Sequence, residues 1–154
     1  MINANDPGLG KTLEALTTIN ELGPNGTLVI CPKMARGVWQ TEAKQWYGWD
    51  SIIMEGTPAQ RVEKRREFLN SNTQIMITNF ALLEEVVREL PRWNNIIIDE
   101  AHLGGLLNHK TVTFQMVKKL QSINLFILTG TPVRKGPHDL WGMLHLLQPK
   151  RFGS

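Results

Sequence analysis

The chain alternates between short apolar runs and longer segments in which apolar residues recur at helical spacing. Five runs rich in Ile, Leu and Val predict strands at Thr27–Cys31, Ser51–Met54, Gln74–Thr78, Asn95–Ile98 and Leu125–Leu128. Six segments of helical period predict helices at Lys11–Leu22, Ala35–Trp46, Ala59–Leu69, Phe80–Leu90, Thr111–Leu120 and Pro137–Leu147. Turn-forming sequences, including Gly-Pro-Asn-Gly at 23–26, separate these elements. The order therefore indicates a repeating strand-helix unit.

The predicted strands are apolar throughout, which is typical of a parallel sheet covered by helices on both faces. Right-handed helical crossovers supply that cover. We therefore predict an α/β fold, a three-layer α/β/α sandwich with a mainly parallel, open, doubly wound sheet. The length of 154 residues suits one domain, residues 1–154. Only a stub of sequence precedes the first helix, where a further strand is expected, so we expect a piece of something longer.

Charge restricts the function only weakly. The formal net charge is +3, which is compatible with a nucleic-acid partner but fits many proteins that never bind one. A cluster of basic residues at 64–66 lies between Glu63 and Glu67 on a predicted helix. We interpret this cluster as a solvated helix face rather than a localisation signal.

The single cysteine and the absence of long apolar runs bear on the compartment. Cys31 excludes an internal disulfide framework and a zinc site built from several thiolates, and its place at the end of an apolar run predicts a buried thiol. No apolar run approaches the roughly 18 residues that span a bilayer, and no signal peptide is visible. We expect no membrane contact and a cytoplasmic location, with the nucleus or a host cell left open.

A glycine-rich sequence opens the first predicted helix. Alternate glycines allow backbone amides to surround phosphate oxygens, and the helix N-terminus adds partial positive charge. In this type of loop Lys11 contacts the outer phosphates, where it also serves catalysis, and the Thr12 hydroxyl helps to hold Mg²⁺. We therefore predict ATP and Mg²⁺ as cofactors. The predicted nucleotide-binding residues are Gly8, Leu9, Gly10, Lys11 and Thr12.

The loop departs from the general phosphate-loop pattern at two positions. Asn5 stands where the pattern begins with glycine, and Pro7 lacks a backbone donor. The alternative interpretation is a glycine-rich turn that caps a helix.

Two adjacent carboxylates follow the predicted strand at 95–98. Asp99 and Glu100 would emerge at the carboxyl edge of the sheet, where open α/β folds bind ligands. Asp99 would coordinate Mg²⁺ through its water shell, and Glu100 would orient and deprotonate an attacking water. The alternative is a polar loop with an acid that caps a helix.

Small hydroxyl residues follow the last predicted strand. Thr129 and Thr131 would sense the γ-phosphate through Glu100 and pass that state to the nucleic-acid side. We place His102, the last residue of the Asp-Glu-Ala-His segment, in the same coupling group. An ordinary Thr-Gly-Thr-Pro turn is the alternative.

These segments, in this order, resemble the first RecA-like lobe of the Swi/Snf-related branch of superfamily-two (DEAH-box) helicases and DNA translocases. The resemblance covers nearly the whole chain. The matching segments are 6–13, 28–32 followed by Trp39 and Trp46, 77–80, 99–102, and 128–132 followed by Leu140-Trp141, 146–149 and Phe152-Gly153. The three tryptophans are interpreted as core residues because they lie at helical spacing beside apolar residues.

The resemblance implies that the lobe grips one strand of duplex DNA and that ATP turnover moves it along. By this resemblance Lys33 and Arg36, after Pro32, would contact the nucleic acid, as would Thr78 and Asn79. For the two basic residues a surface charge near a helix start is the alternative.

The chain also departs from the pattern of this family. The segment 103–107 looks longer than its family counterpart, and an upstream adenine-recognition segment is absent. A second lobe, which supplies arginine fingers in such motors, is also absent. We therefore expect half of an ATPase site, which hydrolyses ATP poorly until a second lobe completes it in cis or as a separate chain. The alternative is a non-catalytic module that binds DNA or protein.

Overall fold

A computed structural model describes residues 1–6, 8–90, 92–134 and 136–152. Its strands form one six-stranded sheet in the order β1-β6-β5-β2-β4-β3, and every pairing is parallel. The strands are β1 (Ile2–Asn3), β2 (Thr27–Ile30), β3 (Ser51–Ile53), β4 (Ile75–Thr78), β5 (Arg92–Ile98) and β6 (Gln121–Leu128). The helices are α1 (Lys11–Leu22), α2 (Arg36–Tyr47), α3 (Pro58–Asn70), α4 (Leu83–Glu89), α5 (Val112–Lys119), α6 (His138–Leu147) and α7 (Pro149–Phe152). The predicted α/β class and parallel sheet are confirmed.

Two hydrophobic cores lie on opposite faces of this sheet. Alternate strand residues point to opposite faces, so Val29, Ile77 and Ile97 pack with residues of α1 and α2. Their neighbours Leu28 and Ile96 pack with residues of α4, α5 and α6. All four residues of β2 are buried because strands flank it on both sides and helices cover both faces. The layers are therefore helix, sheet and helix, as predicted.

Several boundaries differ from the predictions. β5 and β6 begin at Arg92 and Gln121, three and four residues earlier than predicted. Polar residues hid these starts: the Asn94 amide donates to Asn25 O at 2.9 Å, and the Asn124 amide donates to Oδ1 of the buried Asn95 at 2.9 Å. Hydrogen bonding of this kind lets a buried strand carry polar side chains.

A short 3₁₀ helix precedes α2, and another replaces the first turn of the helix predicted at Phe80–Leu90. They span Lys33–Ala35 and Phe80–Leu82. The Asn79 side chain accepts hydrogen bonds from Ala81 N at 3.0 Å and Leu82 N at 3.2 Å, so the second turn has a side-chain cap. Both turns begin where a strand ends, and they place polar residues at the sheet edge.

The basic cluster on α3 is only partly solvated. Arg65 is buried and pairs with Glu85 of α4, which also accepts from Arg61 at 2.8 Å. The interpretation of this cluster as a solvated helix face is therefore wrong for Arg65. Arg66 is exposed and pairs with Glu63. Burial by itself raises the pKa of the Glu85 carboxyl, but the hydrogen bonds and charges of both arginines outweigh it and lower that pKa overall.

Cys31 is a free, buried cysteine, as predicted. Burial raises the pKa of its thiol to about 12, and the nearby Asp99 charge adds to the effect. No helix within the described ranges is long and apolar enough to cross a membrane.

Candidate functional site

All the predicted site residues lie at the carboxyl ends of five strands, in the loops that follow them, or in the first turn of the next helix. The strands end nearly level, since Ile30 of β2 lies beside Thr78 of β4 and Ile98 of β5, which lies beside Ile127 of β6. Along the sheet the order is β1, β6, β5, β2 and β4. The predicted nucleotide and coupling residues follow the first three strands, and the predicted nucleic-acid residues follow the last two. One edge of the sheet therefore carries two adjoining groups of predicted site residues, one for the nucleotide and one for the nucleic acid.

The glycine-rich loop has the backbone that its sequence predicts. Gly8 and Gly10 adopt φ values of 85° and 78°, in the left-handed region that favours glycine. Gly10 leads directly into α1, and its carbonyl accepts the first helical hydrogen bond from Glu14 N at 3.0 Å. Leu9 is 63% exposed, while Pro7 lies outside the described residues. The loop thus ends at a helix N-terminus, where backbone amides can bind an anion.

Lys11 is held inside the loop. Its side chain is 7% exposed, and Nζ donates to Asn5 O at 2.9 Å and Asp6 O at 3.1 Å. A phosphate at the loop would offer this ammonium an ionised acceptor in place of neutral carbonyls, which makes a stronger hydrogen bond. Thr12 follows within the first turn of α1.

The departure at Asn5 has a structural explanation. The Asn5 amide donates to Glu14 Oε2 at 3.1 Å, and the Asn5 backbone N donates to Asn3 Oδ1 at 3.1 Å. The Asn3 amide also donates to Glu14. These three residues tie β1 and the start of the loop to the first turn of α1, where a carboxylate suits the helix dipole. Sequence reasoning missed Asn3 and Glu14, because neither belongs to a recognised motif.

The Asp99 carboxylate is partly buried and accepts a hydrogen bond at each oxygen. Oδ2 accepts a hydrogen bond from Trp39 Nε1 at 2.9 Å, and Oδ1 accepts one from Glu100 N at 2.9 Å. Burial raises the pKa of Asp99 and the Glu100 charge adds to the rise, whereas the two hydrogen bonds and the Lys11 charge oppose it. The Lys11 charge is therefore near enough to influence the pKa of Asp99.

Glu100 turns the chain out of the sheet. Its φ of 49° is the sole positive value among the described non-glycine residues. Such a conformation is uncommon for residues with a side chain and concentrates at functional sites.

The predicted coupling residues form a continuous set of polar contacts. His102 Nδ1 shares a hydrogen bond of 2.8 Å with Thr129 Oγ1 and lies 3.3 Å from Glu100 Oε2. Thr129 Oγ1 also accepts from Thr131 N at 3.1 Å. The structure thus brings Glu100, His102, Thr129 and Thr131 together across β5 and β6. Their role in sensing the γ-phosphate stays a prediction.

A groove of about 610 Å³ lies beside β2 and β4. It is lined by Lys33 and Asn79, with Arg61 and Lys64 from α3. Lys33 is exposed, and Asn79 is partly exposed while its side chain caps the following 3₁₀ turn. The groove therefore carries basic side chains, which are the type that contacts phosphates, together with the acidic Glu55.

The other two predicted nucleic-acid residues are internal. Arg36 is 7% exposed and donates to Lys33 O at 3.1 Å and Met54 O at 3.2 Å, and it pairs with Glu55 at 3.2 Å. Thr78 is fully buried. Arg36 also lines the groove, but its guanidinium is already paired with Glu55. Thr78 would reach a ligand only if this packing opened. Both contacts therefore stay predictions.

The residues at this site suit Mg²⁺ that is bound together with a nucleotide, rather than a metal ion held by protein ligands alone. Within the described ranges no group of three or more His, Cys, Asp or Glu side chains could hold a metal ion. Mg²⁺ is usually bound by one or two protein oxygens together with water and substrate phosphates. Asp99 and the Thr12 hydroxyl are hard oxygen donors of this kind, so the residues present fit Mg²⁺ bound with a nucleotide.

The tryptophans divide into different roles. Trp39 is 1% exposed and belongs to a core, as predicted, but it also bonds Asp99. Trp46 is 54% exposed, so its interpretation as a core residue is wrong. Trp141 is partly buried between His109 and His145, with ring centroids 4.9 Å from each. No local signal links Trp39 to a carboxylate 60 positions away.

The segment after the carboxylates, residues 103–107, packs tightly. A Cβ atom on Gly104 would clash with the Phe80 ring, and one on Gly142 of α6 would clash with the Leu106 carbonyl oxygen. The loop therefore contacts the element after β4 on one side and α6 on the other. Gly153, at the end of the last matching segment, lies outside the described residues.

Comparisons with known proteins agree with this geometry. The model of the SNF2-related domain family matches residues 1–154. The ISWI chromatin-remodeling complex ATPase ISW1 of Saccharomyces cerevisiae is 30% identical over 162 residues, covering 99% of this chain and 14% of that protein. The ATP-dependent DNA helicase DDM1 of Arabidopsis thaliana is 31% identical over 166 residues, covering 99% of this chain and 21% of that protein.

A solved structure supports the same relationship. The SWI2/SNF2 ATPase core of Sulfolobus solfataricus, solved in complex with dsDNA, superposes with a TM-score of 0.82 and 28% identity over 100% of this chain and 32% of that one. The chain spans less than a third of the length of each of these relatives. With its parallel sheet, glycine-rich loop and paired carboxylates, the chain belongs to the SNF2-related domain family and has the fold of an N-terminal RecA-like lobe.

Proposed function

We propose that residues 1–154 form the ATP- and Mg²⁺-binding lobe of an ATP-dependent DNA translocase. The observation that carries this proposal is that the glycine-rich loop after β1 and the carboxylates Asp99 and Glu100 after β5 lie at the same edge of the sheet, separated by one strand. The family and the ATP-dependent relatives support the same activity.

The nucleotide occupies the loop from Gly8 to Thr12. The amides at the start of α1 bind phosphate oxygens, and the Lys11 ammonium moves from the carbonyls of Asn5 and Asp6 to the outer phosphates. Bound Mg²⁺ supplies charge neutralisation at the β- and γ-phosphates, and Asp99 and Thr12 are the residues that would hold it.

Glu100 acts on the attacking water. Its carboxylate accepts the water proton and orients the oxygen towards the γ-phosphate. His102 and Thr129 adjoin this carboxylate, so a change at Glu100 on hydrolysis reaches the loop that contains Thr131. These contacts are a physical route by which the nucleotide state affects the rest of the lobe.

The nucleic-acid partner is duplex DNA, bound along the groove that contains Lys33 and Asn79. The related ATPase core solved with dsDNA supports this choice of partner. A second RecA-like lobe, in cis or as another chain, supplies the arginine fingers and closes the site. This lobe by itself contains half of the residues that the reaction needs.

Substitution of Lys11 tests the proposal. We expect Lys11→Ala to weaken binding of a fluorescent ATP analogue by about tenfold or more, since a hydrogen bond to a charged group is lost. Titration followed by fluorescence anisotropy measures this change. Lys44→Ala is the matched control, because Lys44 is an exposed lysine that pairs with Asp50 on the α2–β3 connection.

Undiminished binding by Lys11→Ala would show that the loop is only a glycine-rich helix cap. If the unaltered chain bound no nucleotide at all, the non-catalytic interaction module would become the better description. The melting temperature of each variant controls for unfolding.

A further inference from the structure

Trp39 makes an unusual contact for a core residue. It lies in the first turn of α2, is 1% exposed, and its indole N–H donates to Asp99 Oδ2 at 2.9 Å. A buried indole N–H needs a partner, and a partly buried carboxylate needs donors. The indole N–H and the carboxylate supply each other's hydrogen bond, although the two residues are 60 positions apart in the sequence.

The contact also restricts how the carboxylate is oriented. Oδ1 of Asp99 already accepts the Glu100 amide, and that amide can hold one oxygen while the carboxylate rotates about its Cβ–Cγ bond. A second donor on Oδ2 removes this freedom. Each oxygen keeps a further lone pair, so the carboxylate can still accept hydrogen bonds from water on an ion.

We propose that Trp39 is the positioning residue for the magnesium carboxylate: its indole N–H holds Asp99 in the orientation that binds Mg²⁺ together with a nucleotide. This inference rests on the proposed ATP- and Mg²⁺-binding function and adds a residue to that site. Loss of a group that orients a metal ligand in this manner typically lowers metal affinity by roughly 10–100-fold.

The same helix connects the site to the nucleic-acid groove. Trp39 lies one turn after Arg36, which anchors the start of α2 to Lys33 O and Met54 O. Lys33, at the other end of this short segment, lines the groove. A displacement of α2 on DNA binding would therefore move the donor that holds Asp99.

The variant Trp39→Phe removes the N–H and keeps an aromatic ring in the core. We expect its affinity for a fluorescent ATP analogue in EDTA to equal that of the unaltered chain, because the phosphate loop is intact. The gain in affinity on adding Mg²⁺ should fall by about tenfold. Trp93→Phe is the matched control, since Trp93 is 6% exposed and its indole N–H donates at 2.7 Å to Leu90 O, away from Asp99.

A purely structural role for Trp39 predicts a different pattern. Both affinities would then fall together, or the Mg²⁺ gain would survive within twofold, and either result would overturn the inference. In those cases the unaltered chain would still bind nucleotide and respond to Mg²⁺, so the proposed function would stand. An unaltered chain without any nucleotide binding would overturn both.

A second measurement covers the case in which Trp39→Phe does not fold. The chain has five tryptophans, whose indole N–H signals are resolved by ¹⁵N-correlated NMR. We expect Asp99→Ala to shift one of these five signals strongly and to speed its hydrogen exchange. An indole spectrum unchanged by Asp99→Ala would show that the contact does not form in solution.

Discussion

Two basic residues three positions apart, Lys33 and Arg36, have opposite environments. Arg36 is buried and its guanidinium is occupied by two carbonyls and Glu55. Lys33 is exposed beside the groove. Moving Arg36 to a phosphate would leave a charge partner and two acceptors unpaired, which is costly, whereas Lys33 can reach a phosphate at little cost. We therefore expect Lys33 to make the backbone contact.

Replacing Lys33 tests this assignment. Lys33→Ala should weaken duplex DNA binding by the whole chain, and the slope of log affinity against log salt should fall by about one, since one phosphate contact is lost. Fluorescence anisotropy with labelled duplex at several salt concentrations measures both quantities. Lys118→Ala is the control, because Lys118 is exposed at the opposite edge of the sheet, beside the start of β6. Equal losses in both variants would indicate nonspecific attraction to net charge.

At the scale of elements, the packing of residues 103–107 depends on two glycines. Gly104 lets the Phe80 ring approach the backbone, and Gly142 lets α6 approach the Leu106 carbonyl. Phe80 follows β4 on the nucleic-acid side, whereas α6 follows the threonine loop on the nucleotide side. The segment after Glu100 is therefore in contact with both sides of the sheet edge.

Substitution of Gly142 tests this packing, because helix propensity and the close contact predict opposite changes in stability. Alanine normally stabilises a helix relative to glycine by about 1 kcal/mol. We expect Gly142→Ala instead to destabilise the fold by about 1–3 kcal/mol, because the added methyl group overlaps a backbone oxygen that has little room to move. Urea denaturation followed by circular dichroism measures this difference.

Gly37→Ala is the matched substitution for Gly142. Gly37 lies in α2, and a Cβ there meets no atom within 4 Å. This variant should gain about 0.5–1 kcal/mol of stability. If both variants were stabilised, α6 would not pack against residues 106–107 as described.

At the scale of the molecule, a single sheet edge carries both candidate binding groups. The strand order β1-β6-β5-β2-β4 places the phosphate loop, the threonines and the carboxylates together and the groove next to them. Arginine fingers from a partner lobe contribute on the order of a thousandfold in rate to phosphoryl transfer in comparable enzymes. A lobe without them should bind ATP but turn it over slowly.

Hydrolysis by the purified chain tests this expectation. We expect phosphate release close to that of Glu100→Gln, which serves as the background control, and no increase on adding duplex DNA. A coupled assay for inorganic phosphate measures both. Rapid hydrolysis by the chain alone, lost in Glu100→Gln, would contradict the proposal that the site is half complete.

Local sequence patterns were sufficient to predict which segments are helices or strands and at which edge of the sheet the candidate site lies. Apolar periodicity distinguishes a helix from a buried strand, and a parallel sheet directs the carboxyl ends of its strands to one edge. The loop at 8–12 and the carboxylates at 99–100 therefore had to follow neighbouring or nearby strand ends. The polar starts of β5 and β6 were missed because Asn94 and Asn124 gain their hydrogen-bond partners, Asn25 and Asn95, only after folding.

The sequence by itself determined the α/β class, the glycine-rich loop before α1 and the order of the motifs, because each depends on residues close together in the chain. Only the tertiary structure decided that Arg36 and Thr78 are internal, that Trp46 is exposed and that Trp39 bonds Asp99. Periodicity shows which face of an element is apolar, but not which distant element covers it. Partners separated by 60 residues are chosen by packing of the whole sheet and its helices.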